Sequence, residues 1–225
     1  MEVNPHNVKA HYRAAKALFA LDKVDEALDV CCRGKIIDPK NTNLIALEKE
    51  IKIRAEKKHE QDEKRKKERL RQAREKMTLD AALKAREIKL RGSPRPPDLE
   101  DAAIRLSPDP LSPKSLLDFP VMLLYPTHNQ SDLIKAFAEK DAIRDHLSYI
   151  LPLPWDAQEL YKIDTVDCYM DTITGGLIKI GKKLTLLEAL TNGKTEVVDG
   201  LVRIYVVPAS LAPKWIEEVK RKKNK

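Results

Sequence analysis

Two pairs of residues near the start of the chain recur at one interval. Pro5 and Pro39 lie 34 residues apart, and so do Asn7 and Asn41. That interval is the length of a helix–turn–helix unit of the kind that stacks into solenoids. The residues between the marks agree. Apolar positions at helical spacing predict a first helix over 8–21 and a second over 24–37, with Val24, Leu28 and Cys31 on one face. Ala14, Ala15 and Ala17 are small where the first helix must approach the second, and Leu18 and Leu21 follow on the apolar side. Ala27 falls at the crossing and Pro39 closes the unit. Leu44, Leu47, Ile51 and Ala55 then continue at the same spacing, as a third helix covering the open apolar end.

A 34-residue period is that of the tetratricopeptide repeat. Within it, Lys9-Ala-His-Tyr-Arg13 resembles the Lys-x-x-x-Arg of carboxylate-clamp tetratricopeptide proteins. The resemblance implies binding of the acidic C-terminal Glu-Glu-Val-Asp of heat-shock proteins 90 and 70. The physical basis is simple. A spacing of four puts both cations on one helix face. Lysine offers a compact charge, and arginine offers a planar fork that holds a carboxylate through two hydrogen bonds. The competing reading is two solvated cations on an exposed helix, the usual place for such residues. Members of the clamp family carry three repeats, with further clamp residues on the first two. A single repeat cannot bury its apolar face alone. Residues 2–7 read as the tail of a preceding repeat. The chain is therefore expected to be N-terminally truncated, with an incomplete repeat domain over 1–43 and part of a binding site.

Composition narrows the rest. The 225 residues leave room for one or two domains. No apolar run approaches the roughly 18 residues of a membrane span, and no basic, apolar leader is visible. Cys31, Cys32 and Cys168 form neither a disulfide framework nor a zinc spacing, so they read as thiols in a reducing compartment. The net charge of +7 is concentrated over 48–91, where 17 Lys and Arg face 10 Asp and Glu.

That charged segment, 44–91, is expected to be a capping helix running on into a long solvated one, on the order of 70 Å if continuous. Glu, Lys, Arg and Gln are good helix formers with many i,i+4 ion pairs available. Gly92 and Pro94 are expected to stop it. The cluster Lys64-Arg65-Lys66-Lys67 also reads as an attractor for RNA, a ribosome or an acidic client, or as a nuclear address. Interleaved Glu lowers the local potential and weakens the nucleic-acid reading, and the lack of interleaved aromatic residues suggests no base-stacking platform. Six prolines between Gly92 and Asp118 predict a disordered linker over 92–118, in which Ser93, Ser107 and Ser112 each precede a proline.

From Phe119 the pattern changes. An apolar run from Pro120 to Tyr125 predicts a buried strand. Residues 131–138 and 141–151 predict helices, with Leu133 and Phe137 sharing a face in the first and Ile143, Leu147 and Ile150 in the second. Strands are expected over 166–173 and 177–180 around Gly175-Gly176. Thr185-Leu-Leu-Glu188 is a capping box, and residues 197–207 predict a hairpin about Asp199-Gly200. The fold class is α+β: a helical repeat, a long charged helix, and a small domain over 119–225 with helices on a mainly antiparallel sheet.

Pro120-Val-Met-Leu-Leu-Tyr-Pro126, Gln130-Ser-Asp-Leu-Ile134, Pro154-Trp-Asp156 and Tyr161 resemble the C-terminal "wheel" domain of the tetratricopeptide repeat protein 4 family and its yeast counterparts. There the wheel follows a clamp-type repeat domain and a charged helix, the order seen here. The resemblance implies a co-chaperone of heat-shock proteins 90 and 70 that supports client folding, with links to a translation elongation factor, in the cytoplasm and with the nucleus as a second location. The alternative is a basic RNA- or ribosome-associated protein acting through the charged helix. Trp155 reads as core, and Asp132 and Asp156 as caps or turn residues. His128 and His146 lack a recognisable nucleophile or metal-ligand arrangement, and no Gly-rich phosphate loop occurs. Neither an enzyme, a cofactor nor a metal site is therefore expected.

Overall fold

The computed structural model describes residues 7–223; the expected tail of a preceding repeat, residues 2–6, lies outside them. The chain divides into two compact units, one running to Ala73 and the other from Arg74.

The first unit is helical. Helix α1 (Val8–Ala20) is capped by Asn7, whose Oδ1 accepts from the Ala10 amide at 3.2 Å. A turn through Asp22, in the left-handed region at φ 56°, leads to α2 (Val24–Ile37). Helix α3 (Thr42–Ala85) follows, opened by Asn41, whose side chain accepts from the Leu44 amide. Ala15, Val24, Ala27, Cys31, Leu44, Leu47 and Ile51 form one core, so the third helix covers the open face as its spacing predicts. Of the three small residues of α1, Ala15 alone is buried, and Leu21 is 70% exposed rather than part of the apolar side. The close approach comes instead at Gly34: a Cβ there would meet His11 Cβ and a Leu44 methyl, each at 3.0 Å.

Helix α3 ends at Ala85, before the predicted stop at Gly92. Glu87 adopts φ 56°, and the Ile88 amide donates back to the Leu83 carbonyl at 3.1 Å. A non-glycine residue in the left-handed position carries no sequence signal, which is why this end was not legible. Strand β1 (Leu90–Arg91) follows.

The stretch expected to be a disordered linker is corrected by the structure. It contains β2 (Arg105–Ser107), buries Ala102, Leu106, Ser115 and Leu117, and runs into β3 (Leu116–Tyr125). Its prolines punctuate structure between short pairings rather than abolish it. The predicted helix over 131–138 is also corrected. It is β4 (Gln130–Ala138), antiparallel to β3 through a turn at Asn129, φ 52°. Leu133 and Phe137 are four apart, a spacing that suits a helix face and an unbroken strand alike; here the register shift separates them, with Phe137 buried opposite Phe119 and Leu133 39% exposed opposite Met122. Pro120 sits where the β3–β4 register shifts, between Phe119 and Val121, at the one place where the absent N–H costs the ladder nothing.

Helix α4 (Ile143–Ile150), β5 (Val166–Asp171), β6 (Leu177–Ile180) and α5 (Leu186–Leu190) lie where expected. The predicted capping box opens α5, with the Glu188 amide donating to Thr185 Oγ1 at 3.3 Å and the Thr185 amide to Glu188 Oε2 at 2.8 Å. Strand β7 (Val197–Val198) and β8 (Val202–Pro208) flank a tight turn in which Asp199 and Gly200 both have positive φ. The turn is as expected, but the hairpin ladder is corrected: β7 pairs in parallel with β1, and β8 pairs in parallel with β3 and antiparallel with β5. Helix α6 (Ala212–Lys223) closes the fold, where the sequence reading placed no element.

Four of the pairings are antiparallel and two parallel, so the second unit is α+β on a mainly antiparallel sheet. Alternation along the strands fills two cores. Leu117, Phe119, Val121, Leu123, Tyr125, Cys168 and Val206 point to one side with α4, α5 and the Ala82–Leu83 end of α3, while Tyr169 and Val207 point to the other with Trp215 of α6.

Candidate functional site

Lys9 and Arg13 project from α1 four residues apart and both are exposed. Lys16, seven after Lys9 and three after Arg13, falls on the same face and is exposed as well, giving three cations in a row. Sequence reasoning passed over Lys16, although its spacing was there to be read. Among the described residues none of the three makes an ion pair. The face is held from behind. Ala15 packs on α2, and α2 is tied to α3 by Glu48, which receives Lys35 and, at 2.8 Å, Lys52. The hydrogen bond from Lys35, reinforced by Lys52, holds the Glu48 carboxyl below the usual carboxylate range. Cys31 donates its thiol to the Leu44 carbonyl at 3.3 Å, and burial pushes its pKa up. It is therefore a packing residue rather than a nucleophile.

In the second unit the residues that carried the wheel resemblance converge. Tyr125 stands edge-on to Trp155 at 5.3 Å and to Tyr161 at 5.4 Å, and Trp155 is edge-on to Tyr161 at 5.1 Å. The polar ends of both tyrosines are satisfied. Tyr125 donates to Asp132 Oδ2 at 2.9 Å, Tyr161 Oη lies 2.6 Å from Thr127 Oγ1 and 3.0 Å from His128 Nδ1, and Asp156 accepts the Leu160 and Tyr161 amides. Asp132 and Asp156 are thus a hydrogen-bond acceptor and a turn cap. Trp155 is half-buried, its ring 5.2 Å from that of His128. His146 stacks on Phe137 at 3.7 Å with Nε2 at 3.0 Å from Asp141 Oδ2. No group of three His, Cys, Asp or Glu among the described residues could hold a metal ion.

Nothing local in the sequence singles out Glu139. It is 2% exposed and accepts one hydrogen bond from Arg86 Nη2 at 2.8 Å on Oε1, with Arg86 Nε at ion-pair distance, 2.6 Å, from Oε2, while Arg86 also donates to the Ser115 carbonyl at 2.9 Å. Arg86 lies 53 residues before Glu139 in the chain, and no local pattern marks the pair.

Residues 109–219, which hold this aromatic cluster, match the family described as the Cns1/TTC4 Wheel domain. Those residues are a Wheel domain of that family. The chain's similarity to the wheel family's fuller members extends well beyond the wheel. A Schizosaccharomyces pombe protein named Hsp70/Hsp90 co-chaperone cns1 is 41% identical over 97% of this chain and 61% of its own length. The Saccharomyces cerevisiae Hsp70/Hsp90 co-chaperone CNS1 is 29% identical over 99% of this chain and 60% of its own, and human Tetratricopeptide repeat protein 4 is 32% identical over 84% and 53%. The chain thus spans about three-fifths of the length of the two yeast relatives. A solved structure of the Saccharomyces cerevisiae Hsp90 co-chaperone Cns1 superposes with a TM-score of 0.83 over 98% of this chain and 73% of that one, at 29% identity.

Proposed function

We propose that this chain works as a non-catalytic co-chaperone adaptor, with the cation row of α1 receiving the acidic C-terminal tail of heat-shock protein 90, and of heat-shock protein 70. The observation that carries the reading is the match, over 97% of the chain, to a relative named Hsp70/Hsp90 co-chaperone. The geometry supports it. Lys9 and Arg13 offer a point charge and a fork on one exposed face, and Lys16 extends the row to suit a peptide with several carboxylates. The wheel, with its aromatic cluster, supplies a rigid surface for chaperone or client, a translation elongation factor among the candidate clients. Buried, unpaired thiols at Cys31 and Cys168 fit a reducing compartment, and we assign the protein to the cytoplasm, with the nucleus as a second location.

The test is capture of intact heat-shock protein 90 beside a form lacking its last four residues. Retention of the intact chaperone with loss of the shortened form is the expected result. Equal retention of both would place the contact away from the tail and overturn the role of α1.

A further inference from the structure

The sequence of α3 interleaves charges of both signs, but the folded helix does not distribute them evenly. Between Lys64 and Arg71 six cations stand against one carboxylate, within about 12 Å of helix. All eight residues are exposed, so no core holds any side of this part of the helix. The single carboxylate, Glu68, accepts a hydrogen bond from Gln72 at 3.0 Å. Lys64 is paired with Glu60 at 2.7 Å. Among the described residues Arg65, Lys66, Lys67 and Arg69 make no ion pair. At 100° per residue Arg65 and Arg69 share one side of the cylinder while Lys66 and Lys67 point to others, so the cations form a basic girdle rather than a single stripe. Two further carboxylates, Asp62 and Glu63, directly precede Lys64, Asp62 within reach of Arg65 and Lys66 and Glu63 within reach of Lys66 and Lys67.

We infer that this girdle is a binding site for the phosphodiester backbone of double-stranded nucleic acid. The charge density on the two sides is complementary: a duplex carries one negative charge per roughly 1.7 Å of axis, and cations alone suffice to bind it. Arginine forks match phosphate oxygens. Leu70, 54% exposed, is the one apolar side chain in the girdle, so little beyond charge would fix an acidic peptide here. No aromatic residue lies in this stretch of the helix, so unpaired bases find no stacking platform and the backbone of a duplex is the favoured partner. Binding of this kind is independent of sequence.

The experiment is fluorescence anisotropy of this chain with a 20-base-pair RNA duplex, a DNA duplex of matching sequence and a poly-glutamate peptide, at 50 and 200 mM salt. The variant replaces Arg65, Lys66, Lys67 and Arg69 with Gln, a comparably good helix former, and circular dichroism checks that the helix persists. With four phosphates neutralised, affinity for a duplex falls roughly a hundredfold between the two salt concentrations, and the variant loses at least tenfold at 50 mM. A stronger response to RNA or to DNA identifies the source. Three results overturn the site: no duplex binding at 50 mM salt, equal binding by the helical variant, or poly-glutamate bound as tightly as either duplex.

Discussion

The three cysteines show how environment divides one residue type. Cys168 lies on β5 facing the core, and burial pushes its thiol up to about 12. Cys31 is buried with its pKa raised in the same direction, and Cys32 beside it is exposed. A thiolate-selective reagent at pH 8 will therefore modify one thiol rapidly in the folded chain and three after denaturation. Fast reaction of two or more would show that one of the cores is open. Glu48 gives a pH dependence. Its folded pKa is depressed by Lys35 and Lys52, so its stabilisation is complete above the unfolded value near ~4.3 and disappears as the pH falls through the folded value. Glu48→Gln will lower the melting point of the helical signal at pH 7, with a cost of about 1 kcal/mol, and will change little near pH 2. An equal loss at both pH values would mean that packing rather than charge is responsible. At this scale the sequence was informative wherever spacing defines a neighbour, as for Lys9 and Arg13. It was silent on Glu139, whose partner is fixed by the fold.

Elements were legible in proportion to how local their causes are. Helices α1, α2 and α5 follow from spacing and caps contained within a few residues, and their expected bounds hold closely. Strand β4 was misread as a helix because its apolar spacing suits both, and a partner strand rather than propensity settled it. Strand β1 was read as the end of the charged helix and β2 as linker, because two and three residues carry no period of their own. Their pairing is supplied by distant residues, Val197–Val198 and Leu116–Asp118. Two substitutions test the packing between elements. Gly34→Ala pushes α2 away from His11 and Leu44, and overpacking of this sort costs ~1–3 kcal/mol, with α1 and its cations displaced. An unchanged helical melting point would refute the close approach. Glu139→Ala leaves the largely buried Arg86 charge without its carboxylate, held only by the Ala82 and Ser115 carbonyls, a loss of about 3–5 kcal/mol. Both tryptophans, Trp155 and Trp215, lie in the second unit, so urea unfolding followed by their fluorescence reports this loss without contribution from the first. A shift below about 0.5 kcal/mol would show that the pair is dispensable.

For the whole molecule, the proposed roles divide along the chain as its charge does. The wheel is built around the aromatic cluster and Glu139, the girdle of α3 concentrates positive charge, and the cations of α1 stand on a helix fixed by α2 and α3. The family was legible from the ordered motifs because those residues meet in one cluster, whereas the partner surfaces of the wheel left no such mark. The central claim is that the cation row binds a chaperone tail. It is tested most directly by calorimetric titration of this chain with a C-terminal Glu-Glu-Val-Asp peptide, beside Lys9→Ala/Arg13→Ala. Binding weakened at least tenfold by the double substitution, and weakened by salt in the unaltered chain, is the predicted result. Equal affinity in the two proteins, or no binding by either, would contradict it.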